Sequence, residues 1–131
     1  MQLNFIANHS VPALAGQSLD VIDPSDGQVF DQIQRSQAPD IDQAVQAARS
    51  AFQGPWGQLS AMERGRLLMA LSRKVSEHAA ELTGLEQRDC GKPTRQAAAD
   101  ATALARYFEY YAGACDKLHG ETLPYQNGYS V

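Results

Sequence analysis

The feature that most constrains the fold of this chain is a long apolar seam towards its C-terminal end. Over residues 94–118, apolar side chains recur at alternating spacings of four and three, which is the period of one face of an α-helix. The seam consists of Ala97, Ala101, Leu104, Phe108, Tyr111, Cys115 and Leu118. Its first half is small and its second half is aromatic, so a neighbouring segment can approach most closely near the start. The pattern predicts one long helix that packs along this seam.

This helix is the last of four that the sequence predicts within residues 40–119. The first begins after a proline, with Asp40 as its N-cap, and stops at Gly54-Pro55. The second opens with Ser60 and Glu63, whose spacing is that of a capping box. Its expected buried face is formed by Leu67, Leu68, Leu71 and Val75.

A break near Glu77-His78 separates the second helix from the third. The third helix ends at Gly91-Lys92-Pro93. Glycine accepts the left-handed conformation that follows many helices, and proline cannot continue one. We therefore expect a sharp corner between the third helix and the long fourth one.

Residues 1–36 carry strand and turn signals instead, and we interpret them as an antiparallel β meander. Short strands are predicted at 4–6, 19–22 and 28–34, with turns at Asn8-His9 and at residues 23–27. The expected fold class is thus a mainly α-helical chain with an N-terminal meander.

Residues 121–131 predict the start of a β-hairpin. Asn127-Gly128 is a strong signal for a two-residue turn between strands. The returning strand stops after three residues, so we expect the chain to be the N-terminal portion of a longer protein.

Composition narrows the class of protein. A chain of 131 residues with 44% hydrophobic and 20% charged residues is typical of one small globular domain. The net charge of −4 gives no basic footprint for nucleic acid or for an anionic membrane, and no apolar run is long enough to cross a bilayer. The two cysteines, Cys90 and Cys115, are expected to be free thiols, and we expect a cytoplasmic protein.

Few residues suggest chemistry by themselves. Asp89, beside the predicted corner, is either a solvated carboxylate paired with Arg88 or Lys92, or an oxygen ligand for a hard cation. Three tyrosines crowd the long helix and form either part of the core or the wall of a ligand pocket. They are Tyr107, Tyr110 and Tyr111.

Several stretches, taken in order, resemble the N-terminal region of the aldehyde dehydrogenase superfamily. The resemblance covers essentially the whole chain, and its specificity lies in the order and spacing of the stretches. They are Asn4-Phe5-Ile6, Val21-Ile22-Asp23-Pro24, Ala44 to Arg49, Gly54-Pro55-Trp56, Glu63 to Leu68, Glu86 with Asp89, Gly91-Lys92-Pro93, Tyr110 to Gly113, and His119 to Pro124. The resemblance implies an α/β parent fold in which residues 1–131 are the N-terminal part of the cofactor-binding domain.

The resemblance also implies an activity, the oxidation of a small-molecule aldehyde to a carboxylic acid with NAD or NADP. In this family a cysteine thiolate attacks the aldehyde, hydride passes to the nicotinamide, and a water activated by a glutamate hydrolyses the thioester. Those catalytic residues, and the main cofactor-binding strands, follow residue 131 in family members. Neither Cys90 nor Cys115 matches the nucleophile, so we expect this chain by itself to be inactive. The complete enzyme is expected to be a homodimer or a homotetramer.

Two sets of residues are assigned through the resemblance. Ala103 and Tyr107 fall where the family lines its substrate tunnel. The backbone carbonyls of Val21 and Ile22, with the carboxylate of Asp89, fall where many relatives hold K⁺ or Na⁺, together with a further ligand from beyond this chain. An alternative from another class of protein is a naturally short, non-catalytic helical module that binds a protein partner through the long helix.

Overall fold

The computed structural model describes residues 1–121 and 127–128. Within these residues four short strands precede five helices, so the chain is mainly helical with short antiparallel strand pairs, as expected. The strands are β1 (Asn4–Ile6), β2 (His9–Val11), β3 (Ser18–Ile22) and β4 (Val29–Gln34). The helices are α1 (Ala38–Gln53), α2 (Pro55–Gln58), α3 (Ala61–Glu77), α4 (Ala79–Cys90) and α5 (Thr94–Ala114).

The strands form two separate antiparallel ladders rather than one continuous meander. β1 pairs with β2 and β3 pairs with β4. The prediction of a turn at Asn8-His9 is wrong by one residue, because His9 already pairs with Ile6 as the first residue of β2. The turn is made by Ala7 and Asn8, both of which have positive φ. Positive φ at both central residues is characteristic of the type I′ turn, a common two-residue connection between antiparallel strands.

Helix α1 begins three residues earlier than predicted, and Asp40 is not its N-cap. The N-cap is Gln37, and Pro39 lies within the first turn, where its missing N–H costs nothing. The Asp40 carboxylate instead reaches back and accepts hydrogen bonds from the backbone N–H groups of Gln37 and Leu14, each at 2.8 Å. These two bonds join the start of α1 to the segment after β2, and they lower the pKa of Asp40 below its usual value.

The other helix ends mostly agree with the sequence. Ser60 and Glu63 form the predicted capping box at α3, and the break near Glu77-His78 separates α3 from α4. Gly91 takes the left-handed conformation after α4, with φ of 67°. The short helix α2 was not predicted, and α5 ends at Ala114 rather than at residue 118.

The predicted C-terminal hairpin is described only at its turn. Asn127 and Gly128 form a turn, with φ of 90° at the glycine. The strands predicted on either side fall mostly on residues 122–126 and 129–131, which lie outside the described residues.

The core lies between α3 and α5 and consists of small residues. Ala97, Ala101 and Ala105 of α5 are buried, and so are Ser72 and Val75 of α3. The Ser72 hydroxyl donates a hydrogen bond to the Ala105 carbonyl at 2.8 Å. Such small side chains let the two helix backbones approach closely, which fixes the position of α5.

The leucines predicted to form the buried face of α3 are only partly covered. Leu67 and Leu71 are 50% and 42% exposed, whereas Val75 is buried as predicted. The reason is that α5 meets α3 along its alanines, which leaves the larger apolar side chains outside the contact. The apolar stripe of α1 is likewise exposed, with Phe52 at 72%. Much apolar surface therefore faces outwards in the described structure.

Candidate functional site

Two concave regions contain the residues singled out in the sequence. The larger, of about 800 Å³, lies where the β3–β4 pair, α4 and α5 meet, and we call it the acidic cavity. The smaller, of about 410 Å³, lies along α5, and we call it the α5 groove.

The acidic cavity brings together two of the three predicted cation ligands. Val21 of β3 and Asp89 of α4 both line it, whereas Ile22 is the next residue along β3 and is not part of the lining. A β-bulge falls between Val21 and Ile22, where Phe30 is the extra residue on β4. A bulge interrupts the regular ladder of backbone hydrogen bonds. Carbonyl and carboxylate oxygens are the donors that hard cations prefer, so the residues present fit such an ion.

The end of α4 is fastened to the β3–β4 pair by Arg88. Its guanidinium lies 4.3 Å from the centre of the Phe30 ring, a cation–π contact with the bulge residue. Its Nε atom is 3.7 Å from a carboxylate oxygen of Asp23. A β-carbon on Gly91 would lie 3.0 Å from the Pro24 side chain, so the helix end and the turn touch. These contacts place Asp89 beside the bulge.

The carboxylate of Asp23 is itself held in the charged form. Ser25 donates hydrogen bonds to it from its hydroxyl and its backbone N–H. These bonds, with a smaller contribution from Arg88, lower the pKa of Asp23 below its usual value. The turn that receives Arg88 is therefore negatively charged at neutral pH.

A second anchor joins α4 to α5. The Lys92 ammonium, in the connection between these helices, contacts the carboxylates of Glu86 on α4 and of Asp100 on α5, the latter at 2.7 Å. The hydrogen bonds to Asp100 and Glu86 raise the pKa of Lys92 above its usual value. Both carboxylates line the acidic cavity, so Lys92 fixes one of its walls.

The sequence left open whether Asp89 pairs with Arg88 or Lys92, and the structure shows neither pair. Arg88 is directed to Asp23, and Lys92 to Glu86 and Asp100. Over residues 1–121, no group of three or more His, Cys, Asp or Glu side chains is arranged to hold a metal ion by itself. A cation at Asp89 therefore depends on backbone oxygens and on ligands from elsewhere.

The α5 groove contains both predicted tunnel residues. Ala103 and Tyr107 line it, together with Arg106, Tyr110 and Tyr111. Tyr110 and Tyr111 meet edge to face, with ring centres 5.2 Å apart. The three tyrosines are more than half exposed, so within the described structure they are not core residues.

The two cysteines are free, as expected. The Cys90 thiol lies at the end of α4 and donates to the Glu86 carbonyl at 3.0 Å, and the Cys115 thiol donates to the Tyr111 carbonyl at 3.2 Å. Both therefore make local contacts within a helical turn.

In the described part of the chain, no helix combines the length and apolar character needed to cross a bilayer.

The anchoring roles of Arg88 and Lys92 were missed by the sequence analysis. Neither residue was considered as a link between separate elements of the fold. A usable signal was present for Lys92, because Glu86 precedes it by six residues and Asp100 follows it by eight, on the two helices that it joins. No local pattern indicates that Arg88 reaches Asp23 and Phe30.

Comparison with known proteins identifies the class of protein. The model of the aldehyde dehydrogenase family matches residues 11–131, and the chain belongs to this family. The fold agrees, because solved structures of aldehyde dehydrogenases superpose on the chain.

Particular relatives make the similarity more specific. The mitochondrial aldehyde dehydrogenase family 2 member B4 of Arabidopsis thaliana is 41% identical over 128 residues, which cover 96% of this chain and 24% of the relative. A Burkholderia cenocepacia protein assigned to the aldehyde dehydrogenases superposes with a TM-score of 0.92 and 59% identity, over 98% of this chain and 27% of that one. A Staphylococcus aureus betaine aldehyde dehydrogenase, solved with NAD⁺, superposes with a TM-score of 0.88 and 32% identity, over 95% of this chain and 25% of that one.

The chain spans between 14% and 27% of the length of the curated relatives and solved structures that it matches. Aldehyde dehydrogenases are oxidoreductases, and solved neighbours of this chain contain bound NAD⁺. The described residues form the acidic cavity and the aromatic α5 groove.

Proposed function

We propose that this chain is the N-terminal part of the cofactor-binding domain of an NAD(P)-dependent aldehyde dehydrogenase that oxidises an aldehyde to a carboxylic acid. The observation that carries the proposal is the family match across residues 11–131, on a structure in which Ala103 and Tyr107 line one groove. The bound NAD⁺ of a structural neighbour supports the choice of cofactor.

In this proposal the chain supplies the wall of the substrate tunnel rather than the reacting groups. The α3–α5 core holds α5 in place, and the α5 groove presents Ala103 and Tyr107 to the aldehyde. The small side chain of Ala103 leaves room for substrate, and the Tyr107 ring adds an apolar wall with a polar hydroxyl. The nucleophilic cysteine, the glutamate and the main cofactor-binding strands are supplied by sequence that follows residue 131 in relatives.

The second part of the proposal is a monovalent cation site at the acidic cavity. The carbonyls of Val21 and Ile22 and the carboxylate of Asp89 would hold K⁺ or Na⁺, with a further ligand from outside this chain. Support comes from the shared cavity lining of Val21 and Asp89 and from the bulge beside them. A bound ion there would tie the β3–β4 pair to α4.

We further propose a homodimeric or homotetrameric enzyme in the cytoplasm. The names of its relatives include both mitochondrial and cytosolic proteins, so cell fractionation is the direct measurement of the compartment. The oligomeric state is measured by light scattering on the native protein.

The proposal is tested by measuring the intact mass of the native protein in its source cell with an antibody raised to this chain. A product several times heavier than 14.2 kDa that reduces NAD⁺ or NADP⁺ when given aldehydes is the expected result. A stable product near 14.2 kDa without such activity would contradict it. The short helical module that binds a protein partner would then be the better hypothesis.

A further inference from the structure

The wall of the α5 groove is mainly aromatic. Five described residues line it, all on α5, and three of them are tyrosines. They are Ala103, Arg106, Tyr107, Tyr110 and Tyr111. The alanine and the three tyrosines recur at the spacing of one helix face, with Ala103 one turn before Tyr107. The groove therefore has a small residue next to an aromatic ring, which leaves space beside that ring.

Two of the rings already support each other. The Tyr110 and Tyr111 rings meet edge to face, with their centres 5.2 Å apart and their planes at 87°. This geometry is favourable because the positive edge of one ring meets the negative face of the other. Both tyrosines are more than half exposed, so each ring keeps surface for a further aromatic contact. The ring of a ligand can therefore extend the pair.

The size and the charge of the groove limit what it can accept. Its volume is about 410 Å³, whereas a cavity of about 150 Å³ is enough to hold benzene. A substituted aromatic ring therefore fits. Arg106 is the one charged residue among the described residues of the lining, and its guanidinium is paired with Glu109 at 3.1 Å. Because no carboxylate lines the groove to neutralise a positively charged ligand, the groove favours an uncharged one.

We propose that the substrates of the complete enzyme are uncharged aromatic aldehydes, and that Tyr107 and Tyr110 determine this specificity by contacting the ring of the substrate. This inference rests on the function proposed above, in which the α5 groove is part of the substrate tunnel. Ala103 leaves space for the ring, and Tyr107 contacts it one helical turn away. Tyr110, supported by Tyr111, provides the second contact. An aliphatic aldehyde of equal size gains the same apolar burial but not the attraction between rings.

The experiment compares benzaldehyde with cyclohexanecarbaldehyde, which has nearly the same size but no aromatic ring. The readout is the ratio of kcat/KM for the two aldehydes, measured on the complete native enzyme with NAD⁺ or NADP⁺. Tyr107→Leu replaces the ring by an apolar side chain and should lower this ratio about two- to tenfold, the contribution of one aromatic pair beyond its buried area. Tyr107→Phe keeps the ring and should keep the ratio of the wild type. The intrinsic difference in reactivity between the two aldehydes cancels when variants are compared.

A purely structural role of Tyr107 would not change the ratio. Both aldehydes are measured on the same enzyme sample, so a loss of folded protein lowers both values of kcat/KM equally. Tyr110→Leu repeats the test at the second ring and should lower the ratio too, which keeps the test decisive if the variant at 107 does not fold. Ala98→Leu, on α5 outside the groove, is the control and should leave the ratio unchanged.

Three outcomes would overturn the inference. The first is a ratio that neither Tyr107→Leu nor Tyr110→Leu changes. The second is a Tyr107→Phe variant that behaves like Tyr107→Leu, because the hydroxyl and not the ring would then be responsible. The third is a larger loss of kcat/KM for an aldehyde with a quaternary ammonium group than for benzaldehyde, because the tyrosines would then bind a cation through their ring faces.

Failure of the proposed function gives a different result. In that case the complete enzyme reduces neither NAD⁺ nor NADP⁺ with any aldehyde, or Ala103→Leu leaves every aldehyde unaffected. An enzyme that oxidises aldehydes and responds to Ala103→Leu, but whose two Tyr107 variants share the ratio of the wild type, overturns only the aromatic specificity.

Discussion

A β-carbon on Gly65 would lie 2.7 Å from the carbonyl oxygen of Ala112, so α3 and α5 meet there backbone against backbone. No real β-carbon is accommodated at that distance without movement of one helix. Because Ala112 belongs to the helix that carries the α5 groove, the separation of the two helices at this point also sets the position of the groove.

The first prediction is that Gly65→Ala destabilises the protein by about 1–3 kcal/mol, the usual cost of overpacking a core. The cost arises because α5 must move away from α3, which loosens the packing of the buried alanines of α5. Gly84→Ala is the matched control, since a β-carbon at Gly84 in α4 meets nothing within 4 Å. It should stabilise by about 0.5–1 kcal/mol through helix propensity. Urea unfolding measures both, and equal effects of the two substitutions would contradict the close contact.

The second prediction concerns the pH dependence of stability at the start of α1. The pKa of Asp40 is lowered by hydrogen bonds from the backbone N–H groups of Gln37 and Leu14. A lowered pKa in the folded state means that the stabilisation is complete above the usual value of 3.8 and is lost as pH falls through the folded value. Asp40→Asn should therefore flatten the fall in stability below pH 4 and lower the unfolding midpoint at pH 7.

The control for Asp40 is Asp42→Asn on the exposed side of the same helix. We expect it to leave both the midpoint and the acid limb of the profile close to wild type. A profile for Asp40→Asn that still falls like that of the wild type would show that Asp40 does not cause the acid sensitivity.

The third prediction is that Asp89→Ala in the complete enzyme removes the stabilisation by K⁺ or Na⁺. An ion that binds only the folded state stabilises it by about 2.7 kcal/mol at one hundred times its dissociation constant, and this contribution should disappear. The measurement is the unfolding midpoint as a function of KCl or NaCl, with choline chloride maintaining the ionic strength. Asp26→Ala, in the exposed β3–β4 turn, is the control. An unchanged response to salt in Asp89→Ala would remove Asp89 from the site.

The fourth prediction tests the α5 groove as part of the substrate tunnel. Ala103→Leu in the complete enzyme should lower kcat/KM for bulky aldehydes about tenfold more than for acetaldehyde, because the larger side chain fills space that a bulky substrate needs. Ala98→Leu places the same side chain at another exposed position of α5, outside the groove, and should affect both substrates equally. Identical substrate profiles for the two variants would argue that the groove does not contact substrate.

The fifth prediction concerns the 131-residue chain expressed by itself. Large apolar side chains are exposed on β1, α1 and α5, including Phe5 at 71% and Phe52 at 72%. Surfaces of this kind bind apolar dyes and associate with one another. We expect bound ANS fluorescence and concentration-dependent association in sedimentation. A compact monomer that unfolds cooperatively and leaves ANS unbound would be the opposite result.

The sequence predicts the helices well because their boundaries are set by local chemistry. Ser60 with Glu63 forms the expected capping box, and Gly91 takes the expected left-handed conformation. The predicted start of α1 was wrong because aspartate is favourable both as the N-cap and as the third residue of a helix. In the structure Asp40 is the third residue, and in that position it accepts a hydrogen bond from Leu14, which is distant in sequence.

Burial was predicted less well than secondary structure. A helical period shows which residues share a face, but it does not show which face meets a neighbour. The predicted buried face of α5 includes Leu104, which is 41% exposed in the structure. The residue of α5 that is buried against α3 is instead Ala105. A hydrophobic pattern is identified mainly from large apolar side chains, whereas the close contact between α3 and α5 is made by the smallest ones.

The structure places the predicted site residues but does not test their roles. Val21 and Asp89 share a cavity and Ala103 and Tyr107 share a groove, and their roles in cation and substrate binding stay predictions. The contacts of Arg88 with the β3–β4 pair and the shared ammonium of Lys92 depend on tertiary arrangement. They join segments whose proximity no local pattern encodes.

The buried alanines of α5 recur every four residues, at 97, 101 and 105, and Ala103 and Tyr107 project from the other side of the helix. Attachment thus depends on one set of residues, and the substrate recognition that we propose depends on another set of the same helix. Under this proposal, substitutions at 103 and 107 alter which molecules are accepted without loosening the helix that carries them. In a library of variants randomised at these two positions, a high fraction of members should consequently fold, while their substrate preferences should differ.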